Sequence, residues 1–225
     1  MSTEALSGQQ VASIGLDGWA FLLHYGNYGL QTRIHTGTFT AGLELVTAIG
    51  QAAKELDRYA DLDLRRSRVD VRLTGDGDGS GRSGITQLDV SLARRISELA
   101  ADAGAEVECA SLANLELALD SPAWRDVGPF WAAVLNSEVV ADGDWADVGD
   151  RHQVLPLIWF QPSGSDEPRQ RWHPDVWIDP AQLQPRIDAA LAAGGQLISN
   201  DPDKGCTLAD PQGNKVCLTT WRGRV

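Results

Sequence analysis

Apolar residues recur along the chain at two spacings, and the switches between them predict its elements. Val11, Ile14 and Leu16 lie near helical spacing in residues 7–19, and Ser7 is a candidate N-cap. Extended runs over residues 23–28 and 30–39, rich in Thr, Ile and Phe and punctuated by Gly, predict a hairpin. From Thr40, the residues Leu43, Val46, Ile49, Ala53 and Leu56 step by three and four, which predicts a helix of about four turns. Residues 69–73 alternate apolar and polar side chains, as a half-buried strand does. Thr86 or Gln87 then opens a helix with Leu88, Leu92, Ile96 and Leu99 on one face. Helix, hairpin, helix, strand, helix predicts an α+β domain, an antiparallel sheet carrying helices on one face.

A boundary is expected near residues 103–110, where Ala-Gly-Ala-Glu leaves that helix, giving domains 1–108 and 109–225. The second half shows a strand (115–119), a helix (122–135) and two or three strands ending at 155–161. The order then recurs: strand 172–178, helix 180–193 and strands at 196–199, 207–208 and 215–221. Two βαβββ units of about 50–55 residues in tandem form an internal structural repeat. Each supplies half a cup, so the pair is expected to enclose a cavity. The glycine-rich stretch 75–84 imitates a linker, but the helix after it is needed to cover the sheet before it. Asp76, Asp78, Ser80 and Gly81 imitate the start of a calcium loop, yet the twelfth position is Gln87 rather than a bidentate Glu. The expectation is a solvated loop between strand and helix.

Charge narrows the function. The net charge of −12 repels phosphate backbones and anionic lipid, so nucleic acid and membrane surfaces are not expected partners. No stretch reaches the ~20 apolar residues that span a bilayer, and the first residues carry no secretory signal. Cys109, Cys206 and Cys217 are too few and too scattered for a disulfide framework, and a cytoplasmic protein is expected.

Three stretches of the second half carry a resemblance: Asp120-Ser-Pro with Gly128-Pro-Phe-Trp131, Arg171-Trp-His173-Pro-Asp175-Val, and Asp210-Pro-Gln-Gly-Asn214-Lys-Val-Cys217-Leu. They resemble the glyoxalase/bleomycin-resistance, or vicinal oxygen chelate, family. That resemblance implies a cup whose metal-using members place His and Glu on its strands. On this pattern Asn114 stands at the first ligand position, His173 at the opening ligand of the second module and Cys217 where a Glu would end it. With one histidine kept, no metal and no other cofactor is expected. Alternation places Trp159, His173, Asp175 and Trp177 toward the cavity, with Asn114 and Glu116 beside them. His173 is the candidate acid–base group. Seven of the eight tryptophans lie from Trp124 onward and serve equally as core or as cavity wall.

The first half resembles pterin-4a-carbinolamine dehydratase, also called 4a-hydroxytetrahydrobiopterin dehydratase. The resemblance rests on Leu6-Ser-Gly with Leu16-Asp-Gly-Trp19, Thr38-Phe39 and its helix, residues 69–73, and Gly84-Ile-Thr-Gln-Leu-Asp89-Val-Ser-Leu-Ala93. It implies a hydro-lyase. The family's His-His-Pro-acid turn is here Arg58-Tyr59-Ala60-Asp61, and Gly75 follows Thr74 where a third histidine is expected. Asp89, Asp61 and Tyr59 are the candidate catalytic residues that remain. Tyr and Arg titrate far above neutrality and substitute poorly for imidazole. Function is therefore expected as small-molecule binding or altered chemistry in the cup, with a pterin among the ligands the resemblance allows. The alternatives are an active dehydratase and a non-catalytic interaction protein, and a homodimer is allowed.

Overall fold

The computed structural model of the chain describes residues 4–75, 84–134, 137–149, 153–162, 172–192, 194–201, 205–209 and 215–224. The fold is α+β, and the chain divides into two compact units, one running to Leu112 and one from Ala113 to Gly223.

The N-terminal unit runs α1 (Gly8–Ile14), β1 (Ala20–His24), β2 (Asn27–His35), α2 (Phe39–Glu55), β3 (Asp61–Arg65), β4 (Arg68–Leu73), α3 (Gln87–Asp102) and β5 (Glu106–Glu108). Its antiparallel sheet has the order β1-β2-β4-β3, and β5 pairs with β2. Ser7 caps α1 through a reciprocal bond with Gln10, and Gly15 ends that helix in the left-handed conformation, which glycine adopts without a Cβ clash. The first helix is therefore shorter than its apolar spacing predicts. The hairpin turns at Tyr25-Gly26, earlier than predicted, so Trp19 and residues 20–23 are buried ahead of the turn. Gly29 is required where β2 meets β4, since a Cβ there would lie 2.7 Å from the Leu73 carbonyl oxygen.

In β4, Val69, Val71 and Leu73 face the core, each fully buried, which contributes about 1.5–3 kcal/mol per side chain. Arg68, Asp70 and Arg72 face the other way. There Arg33 donates Nε and Nη2 to the two Asp70 oxygens at 2.7 and 2.8 Å, and Arg68 adds a third contact. Burial pushes the Asp70 carboxyl up, but the hydrogen bonds and charges of Arg33 and Arg68 outweigh it and hold the group below its usual range. β3 was not predicted; a short Asp-Leu-Asp-Leu-Arg strand whose polar side is exposed completes the sheet.

The C-terminal unit holds the two expected modules. The first is β6 (Asn114–Ser121), α4 (Trp124–Val134), β7 (Glu138–Asp142), β8 (Trp145–Gly149) and β9 (Leu157–Pro162). The second is β10 (Trp172–Trp177), α5 (Leu183–Ala192), β11 (Gln196–Asp201), β12 (Gly205–Ala209) and β13 (Lys215–Thr219). One sheet orders them β11-β12-β13-β10-β6-β9-β8-β7. The modules repeat each other's pairing: β6 runs parallel to β9, β10 runs parallel to β13, and β6 and β10 join antiparallel. One face of this sheet carries the helices. Leu119, Ile158 and Phe160 pack with Trp124, Val127 and Trp131 of α4, and Ile178, Leu208 and Leu218 pack with Ile187 of α5. Most of the glycine-rich stretch, with the calcium-like residues Asp76, Asp78, Ser80 and Gly81, lies outside the described residues, as do Arg171 and Asp210–Asn214.

Candidate ligand site

The alternation that sends Leu119 and Phe160 to the helices sends their neighbours to the opposite face. Strand register fixes which residues meet there. Glu116 stands directly opposite Asp175, Asn114 opposite Trp177 and Ala118 opposite His173. Trp159 is level with Ala118 on β9, and Cys217 is level with Asp175 on β13. Asn114, Glu116, Trp159, His173, Asp175, Trp177 and Cys217 thus share one face across four strands. Two cross-strand bonds lock its centre. Trp177 Nε1 donates to Glu116 Oε2 at 2.9 Å, and Trp159 Nε1 donates to Asp175 Oδ2 at 3.0 Å. Both carboxylates are buried. His173 Nε2 lies 3.5 Å from Asp175 Oδ1, and its ring meets Trp159 edge-on with centroids 6.0 Å apart.

Nitrogen, oxygen and sulfur converge here. Ligand atoms of His173, Asp175 and Cys217 all lie within 4.8 Å of one another. This donor set differs from the positions the resemblance assigns, because Asp175 enters it and Asn114 does not. As they stand, the three satisfy one another and their neighbours. Asp175 already meets Trp159 and His173, while Cys217 Sγ is 3.6 Å from Thr207 Oγ1. Burial, reinforced by the Asp175 charge, pushes the Cys217 thiol up and keeps it protonated at neutral pH, although Thr207 works against the shift. The residues fit a divalent ion only after that proton leaves.

In the N-terminal unit the candidate residues take separate partners. Asp89 is the third residue of α3 and is almost completely buried. Its Oδ2 accepts from Thr86 N at 2.7 Å and from Thr86 Oγ1 at 2.8 Å, completing a capping box. Its Oδ1 lies 3.6 Å from Arg58 Nε, and the Arg58 side chain is only 10% exposed. Tyr59, next in the chain, is 77% exposed. Asp61 is exposed on β3 and pairs across the sheet with Arg72 at 2.9 Å. The guanidinium that stands in place of an expected imidazole is thus the charge partner of the one deeply buried acid among these candidates.

Two participants went unrecognised in the sequence. Arg58 as the partner of Asp89 is a contact between residues far apart in the chain, with no local signature. Thr207 beside Cys217 lies on β12, where its alternation with Cys206 and Leu208 could have placed it on the Cys217 face.

Two domain models match separate stretches of the chain: pterin 4 alpha carbinolamine dehydratase over residues 3–99 and a glyoxalase-like domain over residues 116–219. The class is a two-domain protein that joins these folds. A protein of Nocardia farcinica named as a pterin-4-alpha-carbinolamine dehydratase is 31% identical over 102 residues, which cover 44% of this chain and 99% of the relative. A likewise named Streptomyces coelicolor protein is 33% identical over 108 residues, 47% of this chain and 99% of the relative. Among solved structures, a transcriptional coactivator/pterin dehydratase from Brucella melitensis aligns with a TM-score of 0.38 at 22% identity, over 43% of this chain and 99% of that one. A glyoxalase/bleomycin resistance protein/dioxygenase superfamily member from Vibrio splendidus aligns with a TM-score of 0.33 at 13% identity, over 48% and 98%. The chain belongs to the pterin-4-alpha-carbinolamine dehydratase family through its N-terminal unit. Among the described residues no helix is long and apolar enough to cross a membrane, and all three cysteines are free.

Proposed function

We propose that the protein is a small-molecule binding protein, or an enzyme of altered chemistry, acting through the face of its glyoxalase-like sheet opposite α4 and α5, in a cytoplasmic setting. The observation that carries this reading is the convergence of two buried carboxylates, an imidazole, a thiol and two indoles on four neighbouring strands. Ligand sites are usually lined by apolar and aromatic side chains with a few placed polar groups among them. His173, beside Asp175, is the candidate acid–base group. Family membership favours a second reading, an active dehydratase. Against it stands the Arg58–Asp89 pair, because an arginine cannot exchange protons near neutrality.

The test is native mass spectrometry of the full chain, beside His173→Ala. The expected result is a copurifying small molecule whose affinity falls roughly 5- to 150-fold in the variant, about 1–3 kcal/mol, while the melting temperature holds. A ligand retained by His173→Ala and released by Asp89→Asn would move the function to the other unit.

A further inference from the structure

The C-terminal sheet ends in two edge strands, β11 and β7, and they are guarded differently. An unpaired edge invites another strand, and natural edges blunt that with bulges, proline or charge. β11 carries a register shift between Leu197 and Ser199. β7 pairs with β8 without a break, holds no proline and, among the described residues, has no strand on its other side. The β7–β8 hairpin closes on the two-residue turn Gly143-Asp144, with Gly143 at positive φ. A hydrogen-bonded pair flanks such a turn and the pairs alternate from there, so the backbone N–H and C=O groups of Val139 and Ala141 point away from β8. Side chains alternate as well. Val139, Ala146 and Val148 pack with the apolar residues of α4, which turns Val140 and Trp145 to the opposite face, each 64% exposed. Trp145 stands diagonal to Val140 across the hairpin, close enough for the two to form one apolar surface.

We propose that β7 is a docking edge for an extended peptide segment of a partner protein, apolar in its middle and cationic at its ends. Charge selects this partner. Residues 138–149 contain four acids, Glu138, Asp142, Asp144 and Asp147, and no Lys, Arg or His. Arg125 of α4 approaches the turn, where it donates to the Gly143 carbonyl at 3.2 Å and lies over the Trp124 ring. A second copy of the chain would set this acidic strand against itself, and like charges across a strand pair are destabilising. A segment with Lys or Arg at its ends meets the opposite sign instead, and its apolar middle covers Val140 and Trp145. In such strand addition the main-chain hydrogen bonds give affinity and the side chains give specificity. The acids of β7 and its turn thus exclude self-pairing and leave the edge open to the opposite charge.

The test is an amide NMR titration of the full chain with the acetylated, amidated peptide Lys-Val-Val-Val-Lys. Its control replaces both lysines with glutamate. The expected result is a set of shifts centred on residues 138–147, with the lysine peptide binding at least ~10-fold more tightly than the control, since like charge suppresses the wrong partner. N-methylation of the two outer valines, which pair with Val139 and Ala141, removes their donors and should abolish binding. Trp145→Ala should weaken binding by about 10-fold, as loss of an aromatic anchor does, and the fold should hold because the side chain is exposed. Equal binding of the glutamate peptide, undiminished binding after N-methylation, or no binding by the folded chain each overturns the proposal. So does a dimer of the unaltered chain that Val140→Lys dissociates, which would give the edge to a second copy. The proposed ligand site stands or falls separately, on the copurifying molecule and its dependence on His173.

Discussion

Asp89 in one unit and Asp175 in the other are both buried carboxylates, but their surroundings give them different work. Asp89 accepts two hydrogen bonds from Thr86 and faces a guanidinium, all supplied by its own unit. Its negative charge is spent on starting α3 and holding the turn after α2. Asp175 faces another carboxylate, an indole N–H and an imidazole. An acid met by a permanent cation is a structural joint, whereas acids set against each other between aromatic rings carry the proposed ligand site. The difference moves the expected function of this dehydratase-family chain out of the dehydratase fold.

The largest effect should appear in turnover. Without imidazoles at positions 58, 59 and 75, conversion of a 4a-hydroxytetrahydropterin should be slower than that of a dehydratase keeping them by about 10²–10⁴ for each acid–base function lost. A stopped-flow assay on the purified chain measures it. Robust turnover abolished by Asp89→Asn would erase the contrast between the units.

Stability sharpens the contrast next. Asp89→Ala removes a helix cap and strands the Arg58 charge, so it should cost about 3 kcal/mol in urea denaturation. A loss under 1 kcal/mol would mean that Asp89 is not a structural joint.

The smallest effect belongs to a carboxylate that also has cation partners but lies near the surface. Asp70 has a folded-state pKa below its unfolded value, so its stabilisation is present above the unfolded pKa and fades as pH falls through the folded one. Asp70→Asn should therefore cost about 1–2 kcal/mol at pH 7, and the difference from the unaltered chain should shrink in acid below pH 4. Thermal melts across that range check it. A gap that stays constant with pH would assign the loss to packing rather than charge.

Period-two alternation made the face of the proposed ligand site legible. Glu116, Trp159, His173, Asp175 and Trp177 fall on one side because the strands are regular and the opposite side is apolar enough to fix the register. The N-terminal unit was harder to read. In α2, Leu43 sits at helical spacing yet is 50% exposed, while Leu45 and Ala52 face the core, because small and large apolar residues fit two helical phases equally well. In β3, Asp61, Asp63 and Arg65 hide the alternation of Leu62 and Leu64, and charged residues have low strand propensity. The Arg58–Asp89 joint joins residues 31 positions apart, and no spacing rule announces such a contact.

The most direct test of where function lies is hydrogen–deuterium exchange of the full chain with and without saturating pterin. The account predicts slowed exchange in residues 114–121, 157–162, 172–177 and 215–219, with residues 56–61 and 84–90 unchanged. Protection confined to 56–61 and 84–90, around Arg58 and Asp89, would contradict it and return the ligand to the dehydratase-like unit.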